Sequence, residues 1–199
     1  MDIKAGDVLQ LRQKTGVGMM EAKKALTEAE GNIEKAIECL RKSGAAKAQK
    51  RAERTTAQGR VECYSHAGGK IGVLVEVQCE TDFVALNDQF IEFCHDLALH
   101  VAASSPLYVN REDVPEEMIA KEKEIIREQI AAEGGNKPAE IVEKIVEGKI
   151  AKYLQDIVLM DQTFIKDEDV TIRALLESKI LSIGENIRIA RIARLQIGE

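Results

Sequence analysis

With 199 residues, 45% of them hydrophobic and 31% charged, the chain has length for one ordinary domain, or for a small one joined to a larger one, with a real core. No apolar run nears the roughly 20 residues a membrane helix needs, and Met1-Asp2-Ile3-Lys4 lacks the basic-then-apolar order of a secretory signal. No membrane partner is therefore expected, and a cytoplasmic location is. The formal net charge of −6 argues against general nucleic-acid binding.

Residues 1–42 read as three short helices. The first runs through Val8 and Leu11 to Thr15-Gly16-Val17-Gly18, where two glycines permit a sharp turn. The second starts at Met19 and keeps Ala22, Ala25, Leu26 and Ala29 on one side. Gly31 ends it, and Asn32 caps a third helix with Ile33, Ala36, Ile37 and Leu40 at i, i+3, i+4 and i+7. Neighbours on a helix point about 100° apart, so Met19 and Met20 cannot both be buried in so small a bundle. At least one is expected at the surface, where methionine adapts to partners. Ordinary core filling is the competing reading for the other.

Residues 43–58 shift to Ala, Lys, Arg and Gln and read as a basic helical linker. Lys47, Lys50, Arg51 and Arg54 fall on one stripe, which suits either a solvated face or, as the alternative function, an RNA- or ribosome-associated module. No aromatics for stacking accompany the stripe.

A core is expected over residues 59–199. Val61 and Cys63 alternate with Arg60, Glu62 and Tyr64. Ala67-Gly68-Gly69-Lys70 makes a turn, and Ile71, Val73, Val75, Val77 and Cys79 alternate on the returning strand, which is a β-hairpin. At its open end stands Cys79-Glu80-Thr81-Asp82-Phe83-Val84, where strand gives way to helix. Thr81 and Asp82 both carry oxygens that cap a helix. Phe83, one of only four Phe in a chain without Trp, either packs under the corner or protrudes beside a fixed carboxylate as a small wedge. Spacing alone favours the first placement.

Phe90 to Ala102 form a helix with a broad apolar stripe, expected to cover one face of the sheet and stopped by Ser104-Ser105-Pro106. Leu107-Tyr108-Val109 is a short extended piece. A further helix opens at Pro115-Glu116-Glu117, turns Met118, Ile119, Ile125, Ile126 and Ile130 inward, and ends at Gly134-Gly135. Residues 138–159 supply one or two more helices, and Thr171 caps another that stops at Gly184. The tail from Asn186 to Ile197 reads as a closing strand with a fault in its alternation at Arg191, a bulge; isoleucines at 187, 189, 192 and 197 favour strand. The class is α+β, with helices packed against an antiparallel sheet.

No catalytic constellation emerges. The chain has no phosphate-cradling Gly-x-x-x-x-Gly-Lys-Ser/Thr, no nucleophile elbow and no His-Glu-x-x-His. Cys39, Cys63, Cys79 and Cys94 form no Cys-x-x-Cys pair, and His66, His95 and His100 give no ligand spacing, so reduced thiols, no metal and no cofactor are expected. A protein that shifts another's equilibrium fits better than an enzyme.

Two segments carry a family resemblance. Cys79-Glu80-Thr81-Asp82-Phe83-Val84 resembles the core signature of bacterial translation elongation factor Ts in its short form, and the run from Leu11 to Leu26, with Thr15-Gly16-Val17-Gly18-Met19-Met20 at its centre, looks like that family's amino-terminal signature. The pattern departs at Gln78, where the family generally shows Asn, and at Leu86, where a polar residue is more usual. The resemblance implies a ubiquitin-associated-like fold for residues 1–42. It also implies a guanine-nucleotide exchange factor for elongation factor Tu. Leu11, Arg12, Thr15, Gly16, Gly18, Met19, Met20 and Lys23 would dock on the partner's nucleotide-binding domain, while Thr81, Asp82, Phe83 and Val84 intrude near its magnesium and loosen GDP. It implies a homodimer and a two-to-two complex. A ubiquitin-type peptide binder would explain only residues 1–42.

Overall fold

The computed structural model describes residues 3–132 and 138–198. In chain order the elements are α1 (Ala5–Thr15), α2 (Met19–Glu28), α3 (Ile33–Arg51), β1 (Gln58–His66), β2 (Ile71–Cys79), the single turn α4 (Asp82–Ala85), α5 (Asp88–Ser104), α6 (Glu116–Ala132), α7 (Ala139–Ile157), β3 (Thr163–Phe164), β4 (Asp167–Thr171), α8 (Ile172–Ile183) and β5 (Ile187–Gln196). They divide into two units, one of Met1–Ala102 with Arg173–Glu199 and one of Ala103–Ile172. The class is α+β, as the patterning implies.

In the first unit, α1 ends where Gly16 turns left-handed at φ 69° and its N–H returns to the Arg12 carbonyl at 2.8 Å. Asn32 caps α3 by accepting from the Lys35 N–H at 2.8 Å. Alanines 22, 25 and 36 let the three helices approach closely around Leu11, Leu26 and Leu40, and Leu181 of α8 joins this core. The helix expected to end near residue 42 instead runs unbroken through Ser43-Gly44 to Arg51. Its continuation has a packing cause. Gly44 is buried, and a Cβ there would lie 3.4 Å from the Glu177 carbonyl of α8, so the missing side chain admits a close helix crossing instead of marking a break.

The basic stripe is largely committed within the chain. Lys47 pairs with Glu21, the Arg51 guanidinium donates to the Ile180 carbonyl at 2.7 Å, and Arg54 pairs with Glu80 at 3.3 Å.

β2 lies between β1 and β5, antiparallel to both. Val73, Val75, Val77 and Cys79 are buried on one face, and Ile187 and Ile189 continue it on β5. The expected bulge is present. Glu76 pairs with Arg191 and Val77 with Ile189, leaving Ala190 as the extra residue that restores the alternation. α5 covers this face: His95 contacts Glu62 at 3.2 Å and stacks edge-on against Tyr64, and Arg194 donates to the Ala102 carbonyl at 3.4 Å. Phe90, Phe93 and Leu97 are fully buried there, each stabilising by roughly 1.5–3 kcal/mol.

β1 turns its more polar side to the core. Glu62 pairs across from Val75 and is buried, whereas Val61 and Cys63 are exposed on the far face. Burial of a carboxylate is tolerable because Arg60 donates to it at 2.7 Å and His95 lies against it. Burial draws the Glu62 carboxyl upward, but the bonds from Arg60 and His95 together hold it below its usual range.

The second unit is a helical pair, α6 with α7, beside a short two-stranded ribbon, β3–β4, that the sequence pattern did not announce. Residues 139–157 form one helix. Ile126 and Ile130 are buried as expected, but Ile125 is exposed. The Gly134-Gly135 stop lies outside the described residues. The Leu107-Tyr108-Val109 piece donates twice to the Ile157 carbonyl and accepts from the Leu159 and Met160 N–H groups at 2.9 and 3.1 Å.

Candidate functional site

The β2–α4 corner is built by hydrogen bonds that begin where the sheet ends. The last ladder pair is Cys79 with Ile187. Beyond it the Glu80 and Thr81 N–H groups both donate to Glu185 Oε2 at 3.1 Å, and the Thr81 hydroxyl donates to Glu185 Oε1 at 2.7 Å. The contact is reciprocal. Asn186 N–H donates to Glu80 Oε1 at 2.6 Å, and the Asn186 amide donates to the Arg54 carbonyl at 2.9 Å. The Cys79 thiol donates to the Thr81 carbonyl at 3.1 Å.

Thr81 is the N-cap of α4. Its backbone is extended, and its side chain accepts from the Val84 N–H at 3.3 Å. Asp82 Oδ1 accepts from the Phe83 N–H at 3.0 Å. Phe83 then has nothing to pack under: it is 81% exposed, with Leu86 exposed beside it and Val84 half-buried. Asn87 Oδ1 accepts from Gln89 N–H at 2.8 Å as α5 begins. Gln78 is turned away from the tip, donating to Glu76 at 2.8 Å and meeting Thr56 at 3.3 Å.

The second group of expected residues surrounds the α1–α2 turn. Arg12, Gly16, Gly18, Met19, Met20 and Lys23 are exposed, and both methionines stand outside the bundle. Thr15 is half-buried, its hydroxyl donating to the Leu11 carbonyl at 2.7 Å. Leu11 departs from the expectation. At 0% exposure it is a core residue of the bundle, and its side chain reaches no surface. The apolar residue in the middle of the turn, Val17, is likewise buried and pins the turn from beneath.

Burial first, then the Glu185 carboxylate, pushes the Cys79 thiol up to about 11, and burial pushes Cys94 up to about 12. Thiolate is the reactive form, and at pH 8 a thiol near 11 is only about 0.1% thiolate. Alkylation of the native chain at pH 8 therefore leaves Cys79 and Cys94 unmodified while Cys39 reacts, and denaturant releases all of them; peptide mass mapping reads the pattern. Labelling of native Cys79 at the Cys39 rate would contradict the buried, protonated thiol. Among the described residues no group of three His, Cys, Asp or Glu side chains is arranged to hold a metal ion, and no helix is long and apolar enough to cross a membrane.

Glu185 is the site residue that sequence reasoning missed. It sits about a hundred positions from the corner, in a loop whose only local signal is the preceding Gly184, and nothing in its neighbours announces a long-range role.

A family model described as Elongation factor TS matches residues 5–199. The chain is 54% identical over 192 residues to an elongation factor Ts of Carboxydothermus hydrogenoformans, covering 96% of this chain and 88% of that one. It is 54% identical to that of Moorella thermoacetica, covering 99% and 96% of the two chains. It is 52% identical to that of Fervidobacterium nodosum over the whole length of both. With a family match and relatives that span nearly every residue, the chain belongs to the elongation factor Ts family.

Proposed function

We propose that this chain promotes GDP release from translation elongation factor Tu by a two-point grip. The exposed α1–α2 turn, residues 12–23, docks on the partner's nucleotide-binding domain, and the Thr81–Val84 corner enters beside the magnesium that bridges protein and phosphates. Losing that ion removes the main counter-charge on the diphosphate, so GDP is held less tightly. The observation that carries the reading is Phe83: a large aromatic, almost fully solvated, on a single turn tied down by several hydrogen bonds. An aromatic held in a fixed direction, with exposed Leu86 beside it, is suited to fill a pocket on a partner. Linkage requires the converse effect, that GDP and Mg²⁺ weaken this chain's hold on its partner by the same factor. Stopped-flow release of a fluorescent GDP analogue from elongation factor Tu tests the proposal; a release rate that does not respond to this chain would refute it. The competing RNA-binding reading of the basic stripe has less support, because Lys47, Arg51 and Arg54 already have partners within the chain.

We further propose that the active form is a homodimer, giving a two-to-two complex. The sheet's far face is apolar and open. Leu74 is 47% and Leu195 79% exposed, with Val61, Cys63 and Ala193 beside them. Glu76 and Arg191 border the face as an ion pair. A second copy laid on this face by a two-fold axis would complete a sheet sandwich with no new surface needed. Leu74→Asp is expected to convert a micromolar dimer to monomer in analytical ultracentrifugation while leaving circular dichroism unchanged. Alkylation of Cys63 is expected to fall as concentration rises, with Cys39 unaffected. A wild-type monomer at micromolar concentration would sink the dimer.

A further inference from the structure

We propose that Glu185, in the loop between α8 and β5, is the positioning residue that sets the direction in which Phe83 is presented to the partner. This rests on the wedge reading of Phe83 and adds to it a residue that acts through the corner.

Three donors at this corner lie where the sheet cannot serve them. Past the Cys79–Ile187 pair, the strand has no neighbour for the Glu80 and Thr81 N–H groups, and a half-buried N–H left unpaired is costly. Glu185 takes both on one carboxylate oxygen and the Thr81 hydroxyl proton on the other. That last bond decides the cap. A hydroxyl has one proton and two lone pairs. Once the proton is committed to Glu185 Oε1, only acceptor capacity remains, and it faces the Val84 N–H. Thr81 is thereby locked as an N-cap, α4 begins at Asp82, and the next side chain, Phe83, projects outward. Thr81 alone cannot ensure this, since a free hydroxyl rotates and a four-residue helix has too few bonds to hold its own start. The reciprocal bond from Asn186 N–H to Glu80 Oε1 fastens the Glu185 loop to the strand end, so the carboxylate is itself held in place.

Glu185→Gln keeps size and shape but puts an N–H₂ in place of one accepting oxygen, so either the backbone N–H groups lose their acceptor or the Thr81 bond reverses and its proton is no longer committed. The test measures stimulated GDP release against concentration for four proteins: wild type, Glu185→Gln, Phe83→Ala and the double variant. Glu185→Gln is expected to lower stimulated release at a fixed, sub-saturating concentration by up to about ten-fold, in the same direction as Phe83→Ala. In the Phe83→Ala background it is expected to change little, since Glu185 acts through the aromatic. In the free chain labelled with 4-fluorophenylalanine, the Phe83 resonance, assigned by its loss in Phe83→Ala, is expected to shift or broaden on Glu185→Gln, and this readout survives even if the variant binds poorly. Glu185→Asp, which keeps the charge on a shorter arm, is expected to be intermediate, and it carries the test should the Gln variant be unstable.

Equal losses from Glu185→Gln with and without Phe83 would show a general structural role and overturn the inference, as would an unchanged fluorine resonance. A normal release rate in Phe83→Ala alone would bring down the wedge reading itself, and the positioning role with it.

Discussion

Phe83→Ala leaves the thermal midpoint of this chain unchanged and lowers its affinity for the exchange complex by about ten-fold or more. The two halves of that result have the same cause. The ring is 81% exposed, so its removal opens no cavity and forfeits no core packing. Burying a Phe in a partner yields roughly 1.5–3 kcal/mol, and each 1.4 kcal/mol is about ten-fold in affinity. Asp82→Asn is expected to act in the same direction by a smaller amount, because the amide still accepts from the Phe83 N–H but no longer carries charge. Stopped-flow GDP release, with circular dichroism melting beside it, separates function from fold. Unchanged release in both variants would remove the corner from the mechanism without touching the family assignment.

Gly59→Ala gives the largest loss of stability. Gly59 lies opposite Gln78 in the β1–β2 ladder at φ 147°, a backbone conformation L side chains rarely adopt. A Cβ there would stand 2.2 Å from the Val77 carbonyl oxygen and 2.7 Å from Gln78 Cα. Both are backbone atoms of the central strand, so neither can swing aside. The expected cost is about 3 kcal/mol or more, which for a chain of this size lowers the melting midpoint by roughly 6–12 °C. Because β2 carries the Cys79–Phe83 corner, exchange is expected to fail together with the strand pairing. A midpoint within about 2 °C of wild type would mean that β1 simply detaches at its first residues and that the close approach matters little.

Local chemistry was legible in the chain wherever one short segment settles its own conformation. The Gly16 turn, the Asn32 cap, the β2 alternation and the bulge near Arg191 each rest on a backbone preference or a period that neighbouring residues determine. The two signature segments, and with them the family, belong to the same class. Three matters were decided only when distant segments met. In β1 the alternation alone does not fix which side faces the core; pairing with β2 turns Glu62 inward, and Arg60 and His95 make its burial tolerable. Ser43-Gly44 marks only a shift in composition along the chain, yet becomes a close helix crossing because α8 lies against it. Spacing alone would tuck Phe83 under the corner. It faces water because Glu185, brought from the other end of the chain, consumes the Thr81 proton and starts the helix one residue before the ring.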